Sequence, residues 1–417
     1  MRLTTTILTI ALFVSSLIFP IKANAVTNTS PSIRGESAYL IDYQSGQELY
    51  NNNADEKLFP ASTTKILTGL LTIEHGHLDD EVTISNTVLD NNLVYGTRIN
   101  LQPGEQLTVR DLLYATLLNS ANDAAVALAE YVGGNVPNFV NMMNDRAKQI
   151  GATNTHFVNP SGLTDSGHYT TAHDLALIAK EAYPNTLFDQ IVNTKNYTIH
   201  RSKNIQPTEM VNENKLLWNN PDVNGIKTGY TSEALNCYVA SATKDGRTEI
   251  GVILKAPVGT IWSDMTSLLD YGFSEYSNTI YKPAGTVIDT INVDAKPVDL
   301  VLDKPIYVTE PTDNKDQISP IKLQVETPPS NLTQVTQGEP ITKVNIYNDS
   351  TLINTLPLIS SKTITSSQPK PAKSSIPFII KVIIVIATII MLIRIINKTR
   401  KRIFTKKKKK NVRYVDM

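Results

Sequence analysis

Cysteine is almost missing from this chain of 417 residues: Cys237 is the single one. A lone thiol excludes an intramolecular disulfide framework. It lies in Asn236-Cys237-Tyr238-Val239-Ala240, a strand-like run, and reads as a buried packing residue rather than a reactive thiol. Histidine is scarce, at six residues, and none stands in a motif; His156 and His173 read as structural. Net charge is missing as well, at zero over the whole chain, but the total hides an asymmetry. Residues 26–380 carry 25 Lys/Arg against 38 Asp/Glu, whereas residues 381–417 carry twelve Lys/Arg against one acid. An acidic body with a basic tail argues against a nucleic-acid binder and for two ends that face different compartments. No internal repeat is present.

Long apolar runs are confined to the two ends. Arg2 supplies a positive start, Ile7 to Ile21 is apolar but short for a span, and Ala23-Asn24-Ala25 has the small residues of a cleavage site. Residues 1–25 therefore read as a signal peptide, with the mature chain starting near Val26. Pro377 to Ile396 is different: its 20 residues, dominated by isoleucine and valine, cover a bilayer core of about 30 Å. Lys381 and Arg394 lie near its ends, where both can snorkel, and roughly 220° apart around a helix they share no polar face. The expectation is a transmembrane helix over 377–396. A basic tail follows over 397–417, with five lysines from Lys406 to Lys410. The positive-inside tendency puts that tail in the cytoplasm and the body outside.

Between the ends, Ser37 to Tyr50 alternates and turns at Gln44-Ser45-Gly46, a hairpin signal. Helical patterns run from Ser62 to about His75, from Leu112 to Leu118, from Asp123 to Val132, from Phe139 to Ile150 with Gly151 as a stop, from Asp174 to Tyr183, and from Ser263 to Phe273. Asp222 to Leu254 contains two strand-like runs around a turn at Asp245-Gly246. Residues 26–279 thus mix helices with an antiparallel sheet, an α+β domain. From about Lys282 only period-two runs appear, at Val287–Val293, Val298–Leu302, Ile321–Val325 and Ile341–Ile346, which suggests a small all-β domain over 280–359. Residues 360–376, rich in Ser, Thr, Pro and Lys, read as a linker.

Three short motifs carry chemistry. Ser-x-x-Lys occurs four times, at Ser62, Ser241, Ser319 and Ser367, and is weak alone. Ser241 should end a strand before a turn, Ser319 precedes a proline in the β-rich region, and Ser367 falls in the linker. Only Ser62 opens a helix, where the i, i+3 spacing puts Lys65 on the same face, one turn on. The lysine amine can take the serine proton if burial and a second cation lower its pKa. Ser-x-Asn occurs at Ser120 and Ser202; Ser120 breaks a helix and could enter a cleft, while Ser202 sits in a polar loop. Lys227-Thr228-Gly229 occurs once. Its lysine and threonine can bind a carboxylate, and its glycine lets a ligand backbone lie close to the strand.

The surrounding residues extend these motifs. They include Phe59-Pro60-Ala61-Ser62-Thr63-Thr64-Lys65-Ile66, Leu118-Asn119-Ser120-Ala121-Asn122-Asp123, Asn159-Pro160-Ser161-Gly162-Leu163, Val223-Asn224-Gly225-Ile226-Lys227-Thr228-Gly229-Tyr230-Thr231 and Leu269-Asp270-Tyr271-Gly272-Phe273. From Ser37 to Phe273 the chain closely resembles the D-alanyl-D-alanine carboxypeptidases, the low-molecular-mass penicillin-binding proteins of serine peptidase family S11. The resemblance implies the penicillin-binding-protein/β-lactamase-like transpeptidase fold, an antiparallel sheet with helices. It implies an enzyme that removes the terminal D-alanine from peptidoglycan pentapeptides, with roles in wall maturation and cell shape. Ser62 would be the acylated nucleophile and Lys65 its base. Ser120 and Asn122 would relay the proton and hold the substrate amide. Lys227 and Thr228 would bind the terminal carboxylate, beside Gly229. The backbone N–H groups of Ser62 and Tyr230 would form the oxyanion hole. Tyr230 stands where some relatives carry a histidine, which leaves the backbone role intact. The Asn159–Gly162 loop would shape the cleft wall. Stem peptides are the implied substrate, β-lactams the inhibitors and the cytoplasmic membrane the anchor site; no metal or other cofactor is implied.

Other functions are possible on the same motifs. A class A β-lactamase needs a Glu and an Asn between the second and third motifs, whereas Glu233-Ala234-Leu235-Asn236 comes after Lys-Thr-Gly. A D,D-endopeptidase or transpeptidase differs by the shape of an acceptor site, which no motif reports. A β-lactam sensor needs a cytoplasmic output, for which the 21 residues after Ile396 leave no room. An inert wall-binding module would not need Ser62 and Lys65.

Overall fold

The alternating residues after Gly35 form a hairpin, β1 (Ser37–Asp42) and β2 (Glu48–Asn52). The computed structural model describes residues 30–203, 205–313, 320–365 and 378–410. The signal-peptide reading of 1–25 lies outside them, as do Ser319, Ser367 and most of the linker. Gly46 takes the expected turn at φ 77°, and Asp42 Oδ1 accepts from the Ser45 N–H at 2.7 Å. A 3₁₀ turn at Ala61–Thr64 leads into α1 (Lys65–His75). Ile66, Leu67, Leu70 and Leu71 are buried on α1, each contributing roughly 1.5–3 kcal/mol. A short hairpin of β3 (Glu81–Thr83) and β4 (Gln106–Thr108) precedes α2 (Val109–Leu117). The chain breaks at Ser120, which stands at φ 59°, and resumes as α3 (Asn122–Gly133). In α4 (Val136–Ile150) Asn135 caps the start and Gly151, at φ 94°, ends the helix. Next come α5 (Ala172–Ala182), α6 (Thr186–Val192), a hairpin of β5 (Asn196–Thr198) and β6 (Glu209–Val211), and α7 (Lys215–Asn219).

Where two strand-like runs are expected, the structure has three: β7 (Val223–Thr231), β8 (Leu235–Lys244) and β9 (Arg247–Ala256). The turn between β7 and β8, Ser232-Glu233-Ala234, contains neither Gly nor Pro, so the sequence carries no punctuation there. The antiparallel order is β2-β1-β9-β8-β7, which leaves β7 at an edge. Period-two alternation splits the sheet's two faces. Ala38 and Leu40 pack with Met265 and Leu268 of α8 (Ile261–Glu275), whereas Tyr39 and Ile41 join the larger core under α1 and α5.

The C-terminal region is all strand, as expected, with more strands than the sequence suggests. They are β10 (Tyr276–Lys282), β11 (Val287–Val293), β12 (Lys296–Leu302), β13 (Ile306–Pro311), β14 (Ile321–Val325), β15 (Pro340–Asn348) and β16 (Thr351–Ser360). β10 pairs with β13, and the other five order as β11-β12-β16-β15-β14. β10, β13 and β16 lie outside the expected runs: β10 and β16 interrupt their apolar residues with polar ones or, at Pro357, a proline, and β13 is short and ends in Glu310-Pro311. The boundary set at 279/280 on sequence texture falls inside β10. The last described helix, α9 (Phe378–Lys410), runs through the apolar segment into the basic tail. Val382–Arg402 within it has a mean hydropathy of 2.1, long and apolar enough to cross a membrane by length and composition.

The β1–β2 turn is also where the two units meet. Lys180 Nζ on α5 donates to the Ile353 carbonyl at 3.2 Å and to Asn354 Oδ1 at 3.1 Å. Asn354 Nδ2 donates to the Gln44 carbonyl at 3.0 Å, and the Thr309 N–H to Gln47 Oε1 at 2.6 Å. Such bonds contribute about 0.5–1.5 kcal/mol each. A Cβ on Gly46 would lie 1.9 Å from the Ile353 carbonyl oxygen. Gly46→Ala is therefore expected to cost about 1–3 kcal/mol in urea unfolding and to speed proteolysis at the junction. An unchanged midpoint and cleavage rate would show that the turn and β16 do not hold this approach in solution.

Candidate active site

Ser62 sits in the 3₁₀ turn that opens α1, immediately after Ala61 at φ 48°. A non-glycine residue in that region costs about 1–3 kcal/mol and persists only where its surroundings over-determine it. Here the surroundings are close. Gly162, at φ 88°, lies so near that a Cβ on it would sit 1.8 Å from the Ala61 carbonyl oxygen. On the other side a Cβ on Gly229 would sit 2.7 Å from the Ser62 amide nitrogen. Beside the ligand approach expected from the sequence, Gly229 thus makes room for the backbone of the Ser62 turn itself. The same approach carries β7, with Thr228 and the exposed Tyr230, alongside Ser62.

Lys65 has no solvent exposure and three oxygen neighbours. Its Nζ lies 3.0 Å from Ser62 Oγ, 2.7 Å from Asn122 Oδ1 and 2.6 Å from the Ser161 carbonyl oxygen. Burial holds its pKa well below the ordinary value, and the Lys227 cation lowers it further. A neutral amine has two N–H donors and one lone pair. Asn122 and Ser161 take the donors, which leaves the lone pair facing the Ser62 hydroxyl. Asn122 is fixed in turn, its Nδ2 donating to the Tyr95 carbonyl at 2.5 Å. Both polar atoms of Asn122 thus contact protein, and its side chain holds Lys65 in place, while a second Nδ2 N–H and a second Oδ1 lone pair remain. Ser120 is buried two residues away, in the turn between α2 and α3.

Lys227, on β7, is also fully buried, and its Nζ donates to the Thr228 carbonyl at 3.1 Å. Burial lowers its pKa, while Glu213, with Oε2 at 3.6 Å, raises it. The sequence pointed to Lys227 but offered no sign of Glu213, because Asn212-Glu213-Asn214 matches no motif. It also missed the part played by the Asn159–Gly162 loop, assigned to the cleft wall. That loop supplies the Ser161 carbonyl to Lys65 and the Pro160 carbonyl to Thr68 Oγ1, at 2.7 Å. Asn159 shapes it, its Oδ1 accepting the N–H groups of Ser161, Gly162 and Leu163. Asp123, next to Asn122, ties α3 to the preceding loop, its carboxylate accepting from the Ile99 and Leu101 N–H groups at 3.1 and 2.9 Å.

The other sequence candidates lie apart from this cluster. Ser241, expected at a strand end, is buried in the interior of β8, which continues to Lys244. Ser202 bonds the Gln106 backbone in a loop. Cys237 is buried, and desolvation pushes its thiol up to about 12, consistent with packing. His156 bonds the Gly167 carbonyl, and His173 packs edge-on against Tyr39. His168, unremarked in the sequence, is the histidine nearest the chemistry. Its Nδ1 accepts from the Val158 N–H at 3.3 Å, so Nε2 carries the proton and donates to Thr64 Oγ1 at 2.9 Å. No group of three or more His, Cys, Asp or Glu suited to a metal occurs among the described residues.

Comparison with known proteins gives a consistent result. The family profile described as D-alanyl-D-alanine carboxypeptidase matches residues 24–258, and that of the penicillin-binding protein 5 C-terminal domain matches residues 276–366. The chain is 32% identical over 336 residues to the D-alanyl-D-alanine carboxypeptidase DacF of Bacillus subtilis, covering 78% of this chain and 85% of that one. It is 33% identical over 359 residues to DacA of Haemophilus influenzae, covering 82% and 89%. Among solved structures, penicillin binding protein 5 from Haemophilus influenzae aligns with a TM-score of 0.62 at 32% identity, over 80% of this chain and 98% of that one. The Streptomyces K15 DD-transpeptidase aligns with a TM-score of 0.55 at 34% identity, over 59% and 99%.

The buried His168 makes stability depend on pH. Desolvation lowers its pKa from 6.5 to about 3 in the fold. Between those values the unfolded chain binds the extra proton. Its contribution is complete above the unfolded pKa and is lost as pH falls toward the folded one. Urea unfolding should therefore weaken by up to about 1.4 kcal/mol per pH unit below pH 6 through this group. His168→Gln should show a shallower dependence, and equal slopes would place the histidine outside this linkage.

Proposed function

The chain belongs to the D-alanyl-D-alanine carboxypeptidase family of serine peptidases and is a serine-type enzyme of that class; from this we propose that it works through an acyl-Ser62 intermediate on peptidoglycan stem peptides. The observation that carries the proposal is the buried Lys65 amine, 3.0 Å from Ser62 Oγ and held by two further acceptors. In acylation the Ser62 proton passes to Lys65 Nζ while Oγ bonds the penultimate D-alanine carbonyl carbon. The scissile C–N bond then breaks, and the leaving D-alanine nitrogen takes up a proton relayed through Lys65 and Ser120. Water attacks the ester in the second half, giving its proton back through Lys65 and freeing Ser62. Backbone N–H groups of Ser62 and Tyr230 would stabilise the oxyanion, an effect worth about 3–4 kcal/mol per donor. Lys227 and Thr228 would hold the terminal carboxylate, and the free edge of β7 suits a substrate lying as an added strand. A β-lactam would acylate the same hydroxyl and stop at the ester. An amine in place of water would give transpeptidation, the activity named for the structurally similar Streptomyces K15 protein.

The proposed organisation is a catalytic unit over 26–279, a β-rich unit over 280–359 and a linker over 360–376. A single transmembrane helix over 377–396 would keep the active site outside the cell, near its substrate, with wall maturation and cell shape as the cellular roles. The exposed apolar side chains of α9 support the anchor.

The full-length protein in detergent should release D-alanine from a peptide ending in Lys-D-Ala-D-Ala and form a covalent benzylpenicillin adduct on Ser62, visible by mass spectrometry. Ser62→Ala should lose about 10⁴-fold or more in rate and form no adduct. A folded parent that releases no D-alanine would overturn the carboxypeptidase reading. The rate should follow a bell in pH: it falls on the acid side as Lys65 becomes protonated and on the alkaline side as Lys227 loses its proton. Since burial lowers both groups, both limbs should lie below the ordinary lysine value of 10.5. A rate still rising at that pH would be incompatible with a buried Lys227 cation. The protein should also sediment with membranes, and deletion of 377–417 should release it; a full-length chain that stays soluble would argue against the anchor.

A further inference from the structure

Glu213 stands at the edge of the cleft in an arrangement that the motifs do not explain. Its backbone is held on every side. Its own N–H donates to the Leu118 carbonyl at 3.3 Å, next to the Ser120 turn. Asn212 before it is buried, with Nδ2 donating to the carbonyls of Val192 and Thr194 at 3.0 Å each. Asn214 after it is buried too; Nδ2 donates to the Gly225 carbonyl at 2.9 Å and Oδ1 accepts from the Tyr238 hydroxyl at 2.5 Å. Two buried amides thus fix the segment, yet the carboxylate between them is 43% exposed and faces the buried Lys227 ammonium at 3.6 Å. That separation exceeds a normal N–H···O bond of about 2.7–3.2 Å, so the pair is loose. With one Lys227 N–H on the Thr228 carbonyl, donors remain for an incoming acceptor.

The geometry points to Glu213 as a resident counter-ion: it keeps Lys227 charged in the empty cleft and gives up its place to the substrate's terminal carboxylate. It is a positioning residue that acts through Lys227, and the inference rests on the reading of Lys227 as the carboxylate-binding residue. Without a partner, a buried lysine tends to lose its proton, and a neutral amine attracts a carboxylate far less. The charged groups around Lys227 are Lys65 from α1 and Glu213 from the segment before α7; Asp123 from α3 acts on Lys65. Glu213 raises both lysines, so both limbs of the pH profile depend on it. A loose, exposed carboxylate suits this purpose because a tight, buried pair would compete too well with the substrate.

The test is kcat and KM across pH for the full-length protein in detergent. It uses N-acetylated Lys-D-Ala-D-Ala with a free carboxylate and the same peptide as a C-terminal amide, with Glu213→Gln and Glu213→Asp as variants. Glu213→Gln should move both limbs of kcat/KM for the acid peptide to lower pH. A shift of about half a unit lowers kcat/KM about threefold on the alkaline side, expressed in KM. The amide peptide should lack that KM effect, and Glu213→Asp should restore the parent profile. A parent that prefers the acid peptide, beside a Glu213→Gln profile that superimposes on it, would overturn this inference alone. So would a loss in kcat equal at every pH and for both peptides. A parent indifferent to acid or amide would overturn the carboxylate reading of Lys227 and this inference with it.

Discussion

Two ammonium groups cannot both be buried and charged at close quarters without large cost, and the site is built around that constraint. Removing an ion from water costs several kcal/mol even after relaxation, and a like charge nearby adds to it. The fold settles the conflict by treating the two lysines unequally. Lys65, deep on α1 and ringed by neutral oxygens, gives up its proton most readily. Lys227 has a carboxylate beside it and keeps its own more readily. Two groups of the same residue type are thereby told apart by their neighbours alone.

The constraint reaches outward through the backbone. A neutral Lys65 needs acceptors for two N–H groups, and these come from separate parts of the chain: Asn122 at the start of α3, and the Ser161 carbonyl in the loop shaped by Asn159. A second cation nearby requires β7 to approach the Ser62 turn closely. The absence of a side chain at Gly229, with Gly162 on the opposite side, permits that approach. The left-handed Ala61 and Ser120 mark where packing holds the backbone in shape.

The β-rich unit adds support from behind. Its contacts fall on the β1–β2 turn and on Lys180 of α5, the elements beneath the sheet face opposite α8. Burial lowers the Lys180 pKa to about 8, while Asp42 opposes the shift. This junction ties the rear of the catalytic sheet to β13 and β16. A proposed membrane anchor at the other end of the β-rich unit would hold the catalytic unit at a set distance from the bilayer.

Much of this was legible in the sequence because it depends on local order. The helix over Ser62 to His75, the break at Ser120, the Gly151 stop and the Gly46 turn follow from spacing, capping and backbone freedom, and all occur near where the residues suggest. The Ser62–Lys65 contact is of this kind, since one helical turn sets it. The β7–β8 turn was not legible because it holds neither Gly nor Pro, and strands β10, β13 and β16 were not because their alternation is short or broken by polar residues and proline. Glu213, His168 and the Ser161 carbonyl were hidden for a related reason: each acts on a residue far along the chain, and a carbonyl has no residue-type signature. The sequence by itself determined the chemical groups and the local turns that present them. Only the tertiary structure decided their protonation, because burial and neighbouring charge arise when segments separated by many residues pack together.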